Sequence, residues 1–413
     1  MPEWITVKSL ACLIAAIMLF SLIKCQAVEA QVAQATSDSA QEVEAETDTK
    51  VIEVELSDGE KSKGQIYLPD GDEEIGAIVI FVHGTGPGTY LNKRSSGGVD
   101  YNYFDLFGDE FARRGIAMFS YNKRGVTIGD TPPMYDEVDR EKYQKVLPHI
   151  EVNDLATMIQ RLRQEERLQN SKVILLGWSE GSILAPMVAE NKDNNIHALL
   201  LAGYVNDNMY DVIKFQHSGE SSMINLRPYF DLDKDGQISK EEYESEEDSV
   251  ARARKGLLQD VGFKVLDVDK DGSLTVEDFG KRLQFTFQLV LHNTARENDD
   301  YIWNSYFRIS TAWLKEHFTL EPNKTRLTRL EIPIHIFHGT DDANCPVAGA
   351  KDIKARFDSL GKKNLKSHIF KDHNHDLNFR KWRRDGEMSE GIQKMFDLTE
   401  ELSVTETESS TDR

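Results

Sequence analysis

The stretch from Lys172 to Lys192, KVILLGWSEGSILAPMVAENK, constrains this chain more than any other. Val173 to Leu176 is a short run of aliphatic and β-branched residues, the pattern of a buried strand. From Ala185 onward the spacing predicts a helix. Gly177-Trp178-Ser179-Glu180-Gly181 joins the two. A G-x-S-x-G turn of this kind is sharp and crowded, so a Cβ at either glycine would meet neighbouring backbone. It lifts the Ser179 hydroxyl to the carboxyl end of the sheet, with a helix N-terminus behind it. The five residues alone are a weak pattern. Their placement between strand and helix gives them weight.

The rest of the chain alternates in the same way. Val51–Leu56 and Lys63–Leu68, joined at Ser57-Asp58-Gly59, predict an antiparallel hairpin. Strands are expected at 77–82 (AIVIFV), 116–121, 197–202 (HALLLA), 332–337 (IPIHIF) and 367–370. Helices are expected at 103–114, 148–168, after Pro346, and at about 389–402. Strands alternating with helices indicate an α/β fold, a mostly parallel central sheet covered by helices on both faces.

Three segments resemble the α/β-hydrolase superfamily, closest to bacterial esterase-like members with HGSGP, Y-D-K-R-G and GHSEG motifs. Here they read HGTGPG (83–88), YNKRG (121–125) and GWSEG (177–181), with Ala185-Pro186 following. Trp178 stands where His is frequent, and Asn122 where Asp is. The resemblance spans roughly 51–204 and 330–400 and implies serine-dependent hydrolysis of carboxylic esters. It also implies the chain order serine, acid, histidine, each near a strand's carboxyl end.

A serine hydroxyl is a poor nucleophile at neutral pH and needs a histidine base oriented by an acid. After IPIHIF comes His338-Gly339-Thr340-Asp341-Asp342-Ala343-Asn344-Cys345-Pro346. The relatives' G-x-x-D-x-x-V-P arrangement aligns Asp342 with the acid, Asp341 being the fallback; helix capping is the bland reading of both. Cys345 takes the Val slot as a small apolar filler. After the last strand comes Lys371-Asp372-His373-Asn374-His375-Asp376-Leu377. The common H-x-L ending favours His375 over His373 as base, and two histidines at i and i+2 are weak support for a metal. Backbone amides of Thr85 and Glu180 are the expected oxyanion donors.

Between 204 and 330 the pattern changes. Asp231-Leu232-Asp233-Lys234-Asp235-Gly236-Gln237-Ile238-Ser239-Lys240-Glu241-Glu242 matches the EF-hand loop D-x-D-x-D-G-x5-E position by position. Asp231, Asp233 and Asp235 would surround Ca²⁺, with the Gln237 carbonyl and a bidentate Glu242 closing the site. A second copy begins 36 residues later and offers Asp267, Asp269, Asp271, Ser273 and Asp278. Asp278 stands where Glu is usual, so the second of the two Ca²⁺ sites is expected to be weaker. Fifteen acids against seven bases between 228 and 279 concentrate charge there. In this fold an insertion after HALLLA forms a cap, here a helical cap containing two EF-hands. The stretches 285–291 and 301–318 are expected to be helical.

The net charge of −21 argues against nucleic acid or an anionic membrane surface as partner. Lys8 followed by an apolar run from Leu10 to Ile23 fits a signal-peptide core and falls short of the ~20 residues of a membrane span. An uncleaved N-terminal membrane anchor is the alternative to export. The expected organisation is signal peptide 1–30, disordered linker 31–49, hydrolase domain 50–204 and 331–402, cap insertion 205–330, and acidic tail 403–413. With Cys12 and Cys25 removed, Cys345 would be alone and no intramolecular disulfide could form. The expected protein is an exported serine hydrolase acting on a small-molecule ester, with Ca²⁺ in its cap and no stable membrane partner after signal removal. A peptidase or thioesterase of the same fold, or an inactive calcium-dependent binding protein, are the alternatives.

Overall fold

The computed structural model describes residues 46–96 and 99–404. The signal segment, linker residues 31–45 and tail residues 405–413 lie outside the described residues. Eight strands form one sheet: β1 (Asp48–Glu55), β2 (Lys61–Leu68), β3 (Ala77–Val82), β4 (Ala117–Tyr121), β5 (Lys172–Trp178), β6 (Ile196–Ala202), β7 (Ile334–Gly339) and β8 (Leu365–Phe370). Their order is β1-β2-β4-β3-β5-β6-β7-β8. β1 and β2 pair antiparallel, as do β2 and β4, and every later pairing is parallel.

Composition explains the positions. All six residues of β3 are buried, and β5 is buried beyond Lys172, as central parallel strands covered on both faces must be. At the edge, β1 is largely exposed and carries charged residues that discourage further pairing. One face packs on helices 148–162, 181–190 and 347–359 through Leu155, Ile159, Leu184, Val188, Ile353 and Phe357. The other packs on helices 103–113 and 390–403 through Phe104, Phe107, Phe111, Ile392, Met395 and Phe396.

Several boundaries differ from expectation. The helix expected over 148–168 ends at Leu162, with a separate turn at Glu166–Leu168, and the one expected at 285–291 lies inside Val276–Ala295. The linker does not extend to residue 49: β1 begins at Asp48, and the Glu46 and Thr47 amides donate to buried Asp109. The helix after Ser179 begins at Gly181, because the Ser182 and Ile183 amides bond at once to the carbonyls of Ser179 and Glu180. The expected helix 301–318 is two helices, Asp299–Ser305 and Thr311–Thr319. Phe307 and Arg308 both take left-handed backbone between them, and Ser310 caps the second helix.

Between β6 and β7 the chain leaves the sheet for a helical insertion. Its acidic loops meet where Ile238–Ser239 pairs antiparallel with Ser273–Leu274. They rest on their own apolar core, which includes Phe230, Tyr243, Leu257, Phe263 and Phe279. Helix Val276–Ala295 runs from that core, through Phe279 and Leu283, into a second one shared with Ile183, Val205, Trp313 and Cys345. Among the described residues no helix is long and apolar enough to cross a membrane.

Candidate active site

Ser179 follows the end of β5 with φ +57, a left-handed conformation that non-glycine residues rarely adopt. Its amide donates to the Ala202 carbonyl at the end of β6, 2.9 Å away. The flanking glycines are required by close approach. A Cβ on Gly181 would stand 2.1 Å from the Val82 carbonyl oxygen, and one on Gly177 2.3 Å from that of Gly181. The elbow is thus wedged between β3 and its own helix.

His375 and Asp342 come together at the same sheet end. His375 Nδ1 donates to Asp342 Oδ2 at 2.8 Å, which leaves Nε2 free to accept a proton. Gly203, next after Ala202, lies directly under the His375 ring: a Cβ there would be 2.6 Å from Cε1. Burial would lower the His375 pKa, but the charge and hydrogen bond of Asp342 outweigh it, and the net shift is upward from 6.5. Asp342 is fully buried. Burial favours its neutral form, yet His375, His338 and the Cys345 amide hold its pKa below the usual carboxylate value. Its Oδ1 accepts the amides of Asn344 and Cys345, both at 2.8 Å.

The competing residues have other work. His373 Nδ1 bonds to the Lys371 carbonyl, and its Nε2 accepts the Gly391 amide, tying β8 to the last helix. Asp341 accepts from the Thr340 hydroxyl. Asp342, Cys345 and His375 could geometrically group around a metal. However, burial, with Asp342 adding to it, pushes the Cys345 thiol well above its ordinary value, so it stays protonated.

At the expected oxyanion position, the Thr85 and Glu180 amides donate to no acceptor among the described residues. Gly84 lies against Ser179, since a Cβ on it would be 3.4 Å from Ser179 Cβ. His83 is no base. Burial first, then Lys123, lowers its pKa to about 3, and its Nε2 is bonded to the Tyr121 carbonyl.

Several residues bonded to this group escaped the sequence reading. Trp178 Nε1 donates to the His375 carbonyl at 3.1 Å, so the residue before Ser179 holds the His375 backbone. His338, at the end of β7, accepts the Tyr204 amide on Nδ1. Its Nε2 therefore carries the proton and donates to the Cys345 carbonyl, bracing the loop that carries Asp342. Replacing Trp178 by Phe removes one hydrogen bond of about 1 kcal/mol. For a serine hydrolase built on these residues, kcat with an ester should then fall roughly three- to tenfold with little change in KM, as steady-state kinetics would measure.

The Glu180 side chain also matters, although only its amide was expected to. It is fully buried, and Oε1 accepts from Trp313 Nε1 at 3.0 Å and meets His317 Nε2 at 2.8 Å. Trp313 and His317 lie four apart on one face of helix Thr311–Thr319, so the insertion is bonded to the elbow. Lys123 Nζ, also buried, sits 2.9 Å from Glu151 Oε1 and 3.9 Å from Glu180 Oε2. The signals were in the sequence, an acid directly after the serine and a lysine two residues after a buried strand. Their pairing across 57 positions was not.

The acidic loops offer the only other clusters of ligand atoms found among the described residues. Carboxylate oxygens of Asp231, Asp233 and Glu242 lie within 4.8 Å of one another, as do those of Asp267, Asp269 and Asp271. Asp235 accepts the Gln237 amide, and Asp271 that of Ser273. Asp278 is turned to the amides of Val268 and Thr275 and does not join the second cluster. Ser221, on the helix entering the first loop, donates to the Ala343 carbonyl, next to Asp342.

No curated protein matches the chain. Among solved structures, it is similar to the acylaminoacyl peptidase of Pyrococcus horikoshii at 14% identity and a TM-score of 0.47, over 89% of this chain and 43% of that one. The chain thus corresponds to less than half of that longer protein. An esterase from Exiguobacterium antarcticum matches at 15% identity and a TM-score of 0.43, over 85% of this chain and 99% of its own. A lipase in its open form matches at 15% and 0.43, over 86% and 98%. The family profile described as alpha/beta hydrolase fold matches residues 77–381, most of the chain, and the chain belongs to that family.

Proposed function

We propose that this protein is an exported serine hydrolase that cleaves carboxylic esters, with calcium bound in its insertion. The observation that carries the reading is the Asp342–His375 hydrogen bond at the sheet end where Ser179 is held in left-handed backbone. In this mechanism the Ser179 hydroxyl attacks the ester carbonyl carbon while His375 Nε2 takes its proton. The amides of Thr85 and Glu180 receive the oxyanion. His375 then gives the proton to the departing alcohol, leaving an acyl group on Ser179. Water, deprotonated by His375, releases the acid by the same steps in reverse. Export rests on the apolar run Leu10–Ile23 behind Lys8.

Calcium is supported by the fit of the loops. Lys234 and Lys270 share φ 64, and Gly236 and Gly272 have φ 92 and 91, so both loops take one backbone course. Asp231 Oδ1 is buried without a hydrogen-bond partner among the described residues, as a ligand oxygen would be. Asp231, Asp233, Asp235, Gln237 and Glu242 would hold one ion, and Asp267, Asp269, Asp271, Ser273 and Asp278 the other. Calcium would neutralise local charge and brace the loops.

A fluorophosphonate probe tests the reading directly. It should label the native protein on the peptide containing Ser179, with fluoride leaving as the Oγ–phosphorus bond forms. An unlabelled protein would instead indicate a calcium-binding scaffold without catalysis. The pH profile is a second check. Protonated His375 cannot take the Ser179 proton, so kcat/KM should rise with pH through an inflection above 6.5. Asp342→Asn should move that inflection to lower pH and reduce kcat by roughly 10⁴-fold. An unmoved inflection would remove Asp342 from its role.

A further inference from the structure

We infer that Lys123 is a positioning residue for the oxyanion hole, an inference that rests on the hydrolase reading above. Its ammonium donates to the Gly84 carbonyl oxygen at 3.0 Å. That oxygen belongs to the same peptide group as the Thr85 amide. The only cis peptide bond among the described residues is Pro132–Pro133, so the Gly84–Thr85 bond is trans. In a trans peptide the C=O and N–H point in opposite directions. A cation fixed on the oxygen therefore fixes where the Thr85 N–H points. It also draws electron density toward the carbonyl and makes that N–H a stronger donor.

The surroundings hold both ends of this lever. The Lys123 amide donates to Gly88 O at 2.9 Å, and Asn122 Oδ1 accepts the Tyr90 amide at 2.8 Å, so the segment after β4 clamps the loop after β3. The lysine side chain is only 3% exposed and would shed its proton without counter-charges. Burial works in that direction, but Glu151 and Glu180 outweigh it, and the Lys123 pKa is raised. Glu151 faces it at 2.9 Å; its own pKa is pushed up to about 7 by burial against the pull of Lys123. Glu180 supplies the second carboxylate, itself tied to Trp313 and His317. A lysine serving only as a buried ion-pair partner would have no need to reach Gly84. This one bridges the pair and the peptide.

The test compares the full chain with Lys123→Met and with Lys123→Met/Glu151→Gln. The double variant removes one cation and one anion together, so it keeps a folded reference if the single change leaves the buried acids too costly. The readouts are kcat and KM for p-nitrophenyl acetate and the Ki of a trifluoromethyl ketone, whose hemiketal oxyanion mimics the transition state. We expect kcat to fall about 10- to 100-fold, the Ki to rise by the same factor, and KM to change less than about threefold. A double variant that melts cooperatively with kcat and Ki near the wild-type values would overturn the inference. So would a loss confined to KM, which would place Lys123 in substrate binding. Failure of the hydrolase reading would look different, because Ser179→Ala would then turn over like the wild type.

Discussion

Ser179→Ala should abolish p-nitrophenyl acetate turnover, reducing kcat by roughly 10⁴-fold or more, while leaving the melting temperature within about 2 °C of wild type. The small thermal effect follows from the elbow's construction. Its position is fixed by the Ser179 amide on Ala202 and by two glycines wedged against backbone, and alanine keeps all of these. Ser179→Gly makes the companion prediction. Left-handed backbone costs a residue with a Cβ roughly 1–2 kcal/mol, and glycine gives back only about 0.4–1 kcal/mol through the freer unfolded chain. The glycine variant should be equally inactive but melt higher than the alanine variant. Measured by scanning calorimetry, a glycine variant that melts lower would show that the turn holds no strain. Turnover retained by either variant would end the case for Ser179 as nucleophile.

The sequence made the frame of this site legible because its frame is local. A buried strand reads as an unbroken apolar run, and β3 and β5 lie within two residues of where AIVIFV and KVILL put them. The same holds for the serine, which announces itself by the glycines that its crowded turn requires. Asp342 and His375 were legible as positions at strand ends, one near β7 and one after β8. Their hydrogen bond crosses 33 residues and depends on β7 and β8 being neighbours. Glu180 and Lys123 were visible as odd charges in apolar settings. Nothing local says that they meet Glu151, and Trp313 and His317 from the insertion, in one buried cluster. Helix boundaries failed where the strained backbone decides them: the helix starts at Gly181, straight after the left-handed Ser179, and left-handed Phe307-Arg308 breaks another.

Chelation should lower the melting temperature of the native protein by about 5–10 °C, judged from a binding contribution of up to about 4 kcal/mol per site at a thousandfold excess of calcium. Without the ions, fifteen acids face seven bases in the 52 residues from 228 to 279, and the loops' carboxylates crowd within 4.8 Å. Calcium held as proposed would relieve this repulsion in the folded state alone, so its removal should fall on stability. The two sites should not contribute equally. Both twelfth-position carboxylates accept amides of their own loop, Glu242 those of Leu232 and Ser239 and Asp278 those of Val268 and Thr275. Only Glu242 also lies within 4.8 Å of two other loop carboxylates, and Asp278 is one methylene shorter. Glu242→Gln should therefore lose most of the calcium-dependent stabilisation, and Asp278→Glu should gain some by lengthening the reach of the twelfth position. Activity should fall together with stability. The helix that enters the first loop is bonded through Ser221 to Ala343, beside the acid, and the helix that leaves the second reaches the core around Trp313. A chelated protein that melts as before but turns over differently would contradict bracing and make the loops a switch. A loosened insertion gives the opposite signature: loss of the Trp313 and His317 bonds to Glu180, and lower activity, as the melting point falls.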